Sequence, residues 1–124
     1  MGRQPEYQGN RYEIRCLDRA DGSSPAGDFL ASLTPAHECR IRPLLEMLAD
    51  HGHCQNEEHF RKIDERTGIY HINNQDVHLL GFFEGGVLFL LAGWIDSRRK
   101  PPRAVIEEAN EYREWFLSNQ GTRG

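Results

Sequence analysis

IYHINNQDVHLLGFFEGGVLFLLAGWI, Ile69 to Ile95, concentrates the apolar and β-forming residues of this chain, and its reading decides the fold. It divides into three strands. The first, Ile69 to Asn73, ends at the turn-rich run Asn73-Asn74-Gln75-Asp76; the second, Val77 to Phe83, ends at Glu84-Gly85-Gly86; the third returns from Val87 to Ile95. Both connections are short, so the strands pair antiparallel as a meander. The last two are almost continuously apolar, the pattern of central strands covered on both faces. Helices from the flanking sequence must therefore cover at least one face.

On the N-terminal side, Tyr12, Ile14 and Cys16 alternate with Glu13 and Arg15, which predicts a strand with one buried face that joins the meander. Ser24-Pro25 and Thr34-Pro35 each read as a cap followed by proline at the first helical position. The first opens a short helix through Leu33, with Phe29, Leu30 and Leu33 on its apolar face. The second opens a helix with Ile41, Leu44, Leu45 and Leu48 at helical spacing and a stop at His51-Gly52. Together they form a helical hairpin, and Pro43 inside the second should bend or split it. A polar loop follows, then a short extended segment from Phe60 to Arg66. Beyond Ile95 a basic loop carries Pro101 and Pro102, which start a last amphipathic helix with Val105, Ala109, Tyr112 and Phe116 on one stripe. The expected architecture is α+β, ordered β-α-α-β-β-β-α. It is a two-layer domain in which an antiparallel sheet is packed by the N-terminal helical hairpin and the C-terminal helix. Residues 1–10 and 119–124 are expected as tails around a single domain at 11–118.

The chain has 124 residues and a formal charge of -4, which argues against whole-molecule attraction to nucleic acid or anionic lipid and requires any RNA contact to be a local basic patch. No signal pattern opens it, and Val87 to Ile95 is too short to span a bilayer, so the expectation is a cytoplasmic protein with no membrane partner. Cys16, Cys39 and Cys54 are odd in number and lack CxxC spacing, which predicts reduced thiols.

DFLASL with the Leu-rich helix after it, then GIYHI, then LLGFFEGGVLFLLAGWI, then RKPPRAVIEEANEY together resemble the phage-derived RelE-like branch of the RelE/HigB/ParE superfamily of bacterial toxins, over about Gly27 to Phe116. The resemblance implies a RelE-like fold, a type II toxin-antitoxin pair and a cognate antitoxin, expected as a small helix-turn-helix protein. In the RelE and HigB branches it also implies ribosome-dependent mRNA cleavage, an mRNA interferase activity. The chain departs from the family pattern where Asn73 and His78 stand at arginine positions, Ala92 at a histidine position, and Asp96 and Ser97 at a lysine pair. Two alternatives stay open: a RelE-fold module that binds antitoxin or nucleic acid without cleavage, and a ParE-like gyrase inhibitor.

Candidate RNA-binding residues are Arg61, Lys62 and Arg66 before the meander and Arg98, Arg99, Lys100 and Arg103 after it, a phosphate-binding patch if the two segments share an end of the sheet and ordinary solvated loops otherwise. Candidate catalytic residues are His71, His78, Asn73 and Tyr70. With a two-residue turn centred on Asn74-Gln75, His71 would oppose His78 on one accessible face, close enough to act on one phosphate as general base and general acid. The alternative is a pair of surface histidines facing a partner, since no group that would orient a base is evident. Tyr70 reads either as a stacking platform or as a core residue pointing toward the helices. His51, His53, Cys54 and His59 crowd one loop, but their spacing matches no structural-zinc pattern, and no metal or other cofactor is expected.

Overall fold

The computed structural model describes residues 6–54, 56, 58–98 and 100–122, with side chains to 119. In chain order the elements are β1 (Tyr7–Gln8), β2 (Glu13–Cys16), α1 (Pro25–Ala31), α2 (Pro35–His51), β3 (Phe60–Asp64), β4 (Ile69–Asn74), β5 (Val77–Glu84), β6 (Val87–Ile95) and α3 (Arg103–Thr122). Both helix starts form as the sequence dictates. The Ser24 hydroxyl accepts from the Gly27 N–H at 3.2 Å and donates to the Leu17 carbonyl at 3.1 Å, and the Thr34 hydroxyl accepts from the His37 N–H at 3.2 Å. Pro43 does not split α2, which is continuous across it. Its side chain is exposed, so the carbonyl left without an N–H partner sits on the wet side of the helix.

The strands form one mixed sheet in the order β1-β2-β6-β5-β4-β3, in which β2 runs parallel to β6 and every other pair is antiparallel. The fully antiparallel expectation fails at this one pair. The chain between β2 and β6 carries a helical crossover, the kind of connection parallel neighbours require. The α1/α2 hairpin packs on one face of the sheet, burying Ile14, Ile41, Leu45, Leu48, Ile72, Leu79, Leu88 and Leu90. α3 covers part of the other face, where Ile69, Leu80, Phe82, Leu91, Ala109 and Tyr112 form a second core. There are thus three layers instead of two, and the unbroken burial of Val77 to Phe82 follows from a central strand with cover on both sides. At Gly93 an added Cβ would stand 2.2 Å from the Phe29 ring, so the missing side chain is what lets α1 lie close on β6. No described helix is long and apolar enough to cross a membrane, and no disulfide joins Cys16, Cys39 and Cys54.

Both expected tails are partly structured. The N-terminal segment adds β1, and the Arg11 and Tyr12 N–H groups both donate to the Ala49 carbonyl near the end of α2, at 3.1 and 2.9 Å. At the other terminus α3 continues to Thr122. Gly9 has no room for a side chain, because a Cβ there would fall 2.2 Å from the backbone carbon of Ala49, and backbone cannot rotate aside. Gly9→Ala is therefore expected to lower stability by about 1–3 kcal/mol, read from urea unfolding midpoints. An unchanged midpoint would mean that this segment does not dock.

Candidate functional site: a histidine relay opening into a basic cavity

The β4–β5 hairpin sets the site. Asn74 pairs with Val77, Asn73 with His78, Ile72 with Leu79 and His71 with Leu80, so the two-residue turn is Gln75-Asp76, with Gln75 at φ 56°. The expected turn lies one residue earlier. Its displacement has a tertiary cause: Asp76 accepts from Arg40 at 2.7 Å and pairs with His37 at 3.2 Å, while Asn74 Nδ2 donates to the Arg40 carbonyl at 2.9 Å. The anchors on α2 choose which residues turn. The offset shifts each pairing by two residues, which preserves the faces. His71 and His78 still share one face, as diagonal neighbours, and Tyr70, Ile72 and Leu79 lie on the helical-hairpin face. In β6, Leu91 and Ala92 together oppose Leu80, and this bulge returns Trp94 to the histidine face opposite His78.

His71 Nε2 and His78 Nδ1 are 2.9 Å apart, and His78 Nε2 lies 2.8 Å from the Asp96 carbonyl oxygen. The carbonyl can only accept, so His78 carries its proton on Nε2. In neutral His78, Nδ1 is then an acceptor, and His71 must donate to it from Nε2. The chain of donors ends at His71 Nδ1, whose lone pair has no partner among the described residues. Trp94 lies parallel to both rings, with centroids 6.0 Å from His71 and 5.1 Å from His78. Neither histidine is on an accessible face: His71 is 2% exposed and His78 0%. Burial first, then the neighbouring His78 and Arg61, hold the His71 pKa down to about 4. It is neutral at pH 7. His78 is fully enclosed and holds His71 through the bond between their rings.

His71 does line a cavity of about 380 Å³ with Glu58, His59, Arg61, Asn73, Asn74, Gln75 and Lys100. Arg61 stands directly across the β3–β4 ladder from His71. The Arg61 and Lys100 side chains are exposed, and neither makes an ion pair or a side-chain hydrogen bond with any described residue. Asn73 closes one wall, its Nδ2 donating to the Glu58 carbonyl at 2.8 Å.

The structure therefore gathers His71, Asn73, Arg61 and Lys100 and disperses the rest. Tyr70 stacks on Phe60, centroids 4.5 Å apart, in the core beneath the hairpin, which removes it from the site. Lys62, opposite Tyr70, lies over that ring on the far face. Arg66 pairs with Asp64 and Arg103 with Glu107, while Arg98 is held by Asp96, so these cations are neutralised where they stand. Arg99 lies outside the described residues.

His59 was legible only as part of a crowded loop, yet it belongs to this cavity. Its signal is the alternation His59-Phe60-Arg61 around a buried Phe60, which sets the polar pair on the face opposite the core. Its Nδ1 lies 3.0 Å from the Asn73 carbonyl and must donate to it. Of the four His and Cys side chains in that loop, His53 Nδ1 meets the His51 carbonyl at 3.2 Å, and no group of three or more metal-ligating side chains converges among the described residues.

Among known protein families none has a model that matches this chain, and no curated protein matches it.

Two outcomes follow from the buried relay. His78→Ala leaves a void, an unsatisfied Asp96 carbonyl and an unpaired His71, and is expected to cost about 2–4 kcal/mol in chemical unfolding. Folded His71 refuses a proton that the unfolded chain accepts below its ordinary value of 6.5, so its contribution is complete above that pH. It is lost as pH falls toward 4, by up to about 1.4 kcal/mol per pH unit. The stability difference between wild type and His71→Gln should shrink from pH 7 to pH 4.5, and a constant difference would contradict the shift.

Proposed function

We propose that the protein is the toxin of a bacterial type II toxin-antitoxin pair, an endoribonuclease that resembles the RelE and HigB branches and cleaves ribosome-bound mRNA until its antitoxin covers the site. One observation carries the reading. His71 Nδ1, which has no hydrogen-bond partner among the described residues and is backed by His78 and the Asp96 carbonyl, lines a cavity with Arg61 and Lys100, whose side chains have no ion pair among the described residues. A neutral imidazole fixed in one tautomer can accept the proton of a ribose 2′-hydroxyl. Two cations beside it can hold the phosphate and the charge that develops as the 2′-oxygen attacks. These groups replace the arginines that the resemblance would place at Asn73 and His78.

A binding module without cleavage is the second reading, favoured by the near-complete burial of His71. Expression in bacteria separates the two. Growth arrest with new mRNA ends is expected from the wild-type chain and not from His71→Gln, whereas equal toxicity of both would remove His71 from the chemistry. Arg61→Ala and Lys100→Ala should each weaken single-stranded RNA binding and flatten its salt dependence by roughly 0.7 in log–log slope per lost contact. Unchanged slopes would mean that the cavity does not take the phosphate.

A further inference from the structure

We propose that His59 is the second proton-transfer group of this cavity, giving a proton to the leaving 5′-oxygen on the opposite side of the phosphate from His71. This rests on the reading above and extends it to a residue outside the buried relay. Three features of the geometry support it.

The first is that both rings are fixed in opposite senses. His71 is bound through Nε2 and presents Nδ1, while His59 is bound through Nδ1, to the Asn73 carbonyl at 3.0 Å, and leaves Nε2 over. The His59 ring takes the place of a ladder rung. The Asn73 N–H donates to the His59 carbonyl at 2.9 Å, but the His59 N–H turns away to the Asn56 carbonyl at 3.0 Å, and the imidazole fills the vacancy at Asn73. That bond survives in either protonation state, because Nδ1 carries a hydrogen in both. Gaining or losing a proton at Nε2 therefore costs the fold no hydrogen bond.

The second feature is spacing. Arg61 pairs with His71, and the Asn73-to-His59 bond extends that register by one antiparallel step, so His59 and His71 are diagonal neighbours across β3 and β4. The backbone positions of such neighbours lie about 7–8 Å apart, and both side chains leave the same face of the sheet, so one phosphate held over that face lies beside both rings. The third is that both line the one cavity that also holds Arg61 and Lys100.

The step balances without a co-reactant. His71 Nδ1 takes the 2′-hydroxyl proton, the 2′-oxygen forms a bond to phosphorus, the bond from phosphorus to the 5′-oxygen breaks, and that oxygen leaves with the proton from His59 Nε2. The products are a 2′,3′-cyclic phosphate and a 5′-hydroxyl, and solvent returns the two histidines to their starting forms.

The test uses the full-length protein on ribosomes programmed with two mRNAs. One is all-oxygen, and the other has sulfur in place of the 5′-oxygen at the cleaved link, a leaving group that needs no proton. His59→Asn keeps a donor for the Asn73 carbonyl, and His59→Gln serves as a second variant should the first unfold on thermal melting. At least a 100-fold loss on the all-oxygen mRNA, with less than about 5-fold loss on the sulfur mRNA, is expected for His59→Asn. His71→Gln should be slow on both. Equal losses of the His59 variants on both mRNAs, or no loss on either, would overturn the assignment while leaving the His71 reading intact. A wild-type protein that cleaves neither mRNA would overturn both.

Discussion

The hold of α2 on the β4–β5 turn governs the rest of this molecule. Asp76 is gripped by Arg40 and His37, and Asn74 reaches the Arg40 carbonyl, so the turn can occupy only one position along the hairpin. Local turn chemistry alone leaves several choices in Asn73-Asn74-Gln75-Asp76, because asparagine and aspartate all tolerate turn conformations. Packing decides. With the turn at Gln75-Asp76, Val77 is fully buried and His71 becomes a diagonal neighbour of His78. Directly opposite rings would compete for the same space; the diagonal lets Nε2 of one meet Nδ1 of the other.

That register also divides one face of the sheet into two territories. Ile69, Leu80, Phe82 and Leu91 lie under α3, and His59, Arg61, His71, Asn73 and His78 occupy the remainder. Burying two imidazoles next to an apolar core costs several kcal/mol unless their polar atoms are paired. The relay to the Asp96 carbonyl satisfies three of the four ring nitrogens, and Trp94 covers the rings with a flat surface. The fourth nitrogen faces the cavity walls, where a ligand or water can reach it. The stability of this region and the placing of His71 are thus coupled through the same bonds, since whatever loosens His78 also turns His71.

Much of this was legible in the sequence, and what was not has identifiable causes. The cap-and-proline signals at Ser24-Pro25 and Thr34-Pro35, the ends of β6 and the apolar stripe of α3 follow from local rules, and local rules suffice there. The parallel pairing of β2 with β6 is invisible locally, because a four-residue strand carries no information about its partner's direction. The docking of residues 6–12 depends on an acceptor, the Ala49 carbonyl, that lies far away in sequence. In the site, the shared face of His71 and His78 was readable from the period of two. Their burial was not, because it depends on a bulge at Leu91 and Ala92 that swings Trp94 over them. Tyr70 and Lys62 were assigned to the site by proximity in sequence and fall on the wrong face by that same period.

The low proton affinity of His71 raises a difficulty for a general base, since a group with pKa about 4 is a weak acceptor. The causes of the shift supply the answer. Besides burial and the neighbouring His78, the buried ring meets the positive charge of Arg61 directly across the ladder, and no described residue forms an ion pair with that charge. A phosphate bound between Arg61 and Lys100 would bring the anion that both cations lack. It would offset the Arg61 contribution, the smallest of the three causes that keep the proton off His71, and add an attraction in its place, raising basicity when the 2′-hydroxyl arrives. In the proposed reaction the imidazole is therefore neutral at physiological pH when the site is empty and more basic when it is occupied. An arginine in the place of His71 could not play this part, being permanently charged; a histidine beside Arg61 can, because only its charge responds to what the cavity holds.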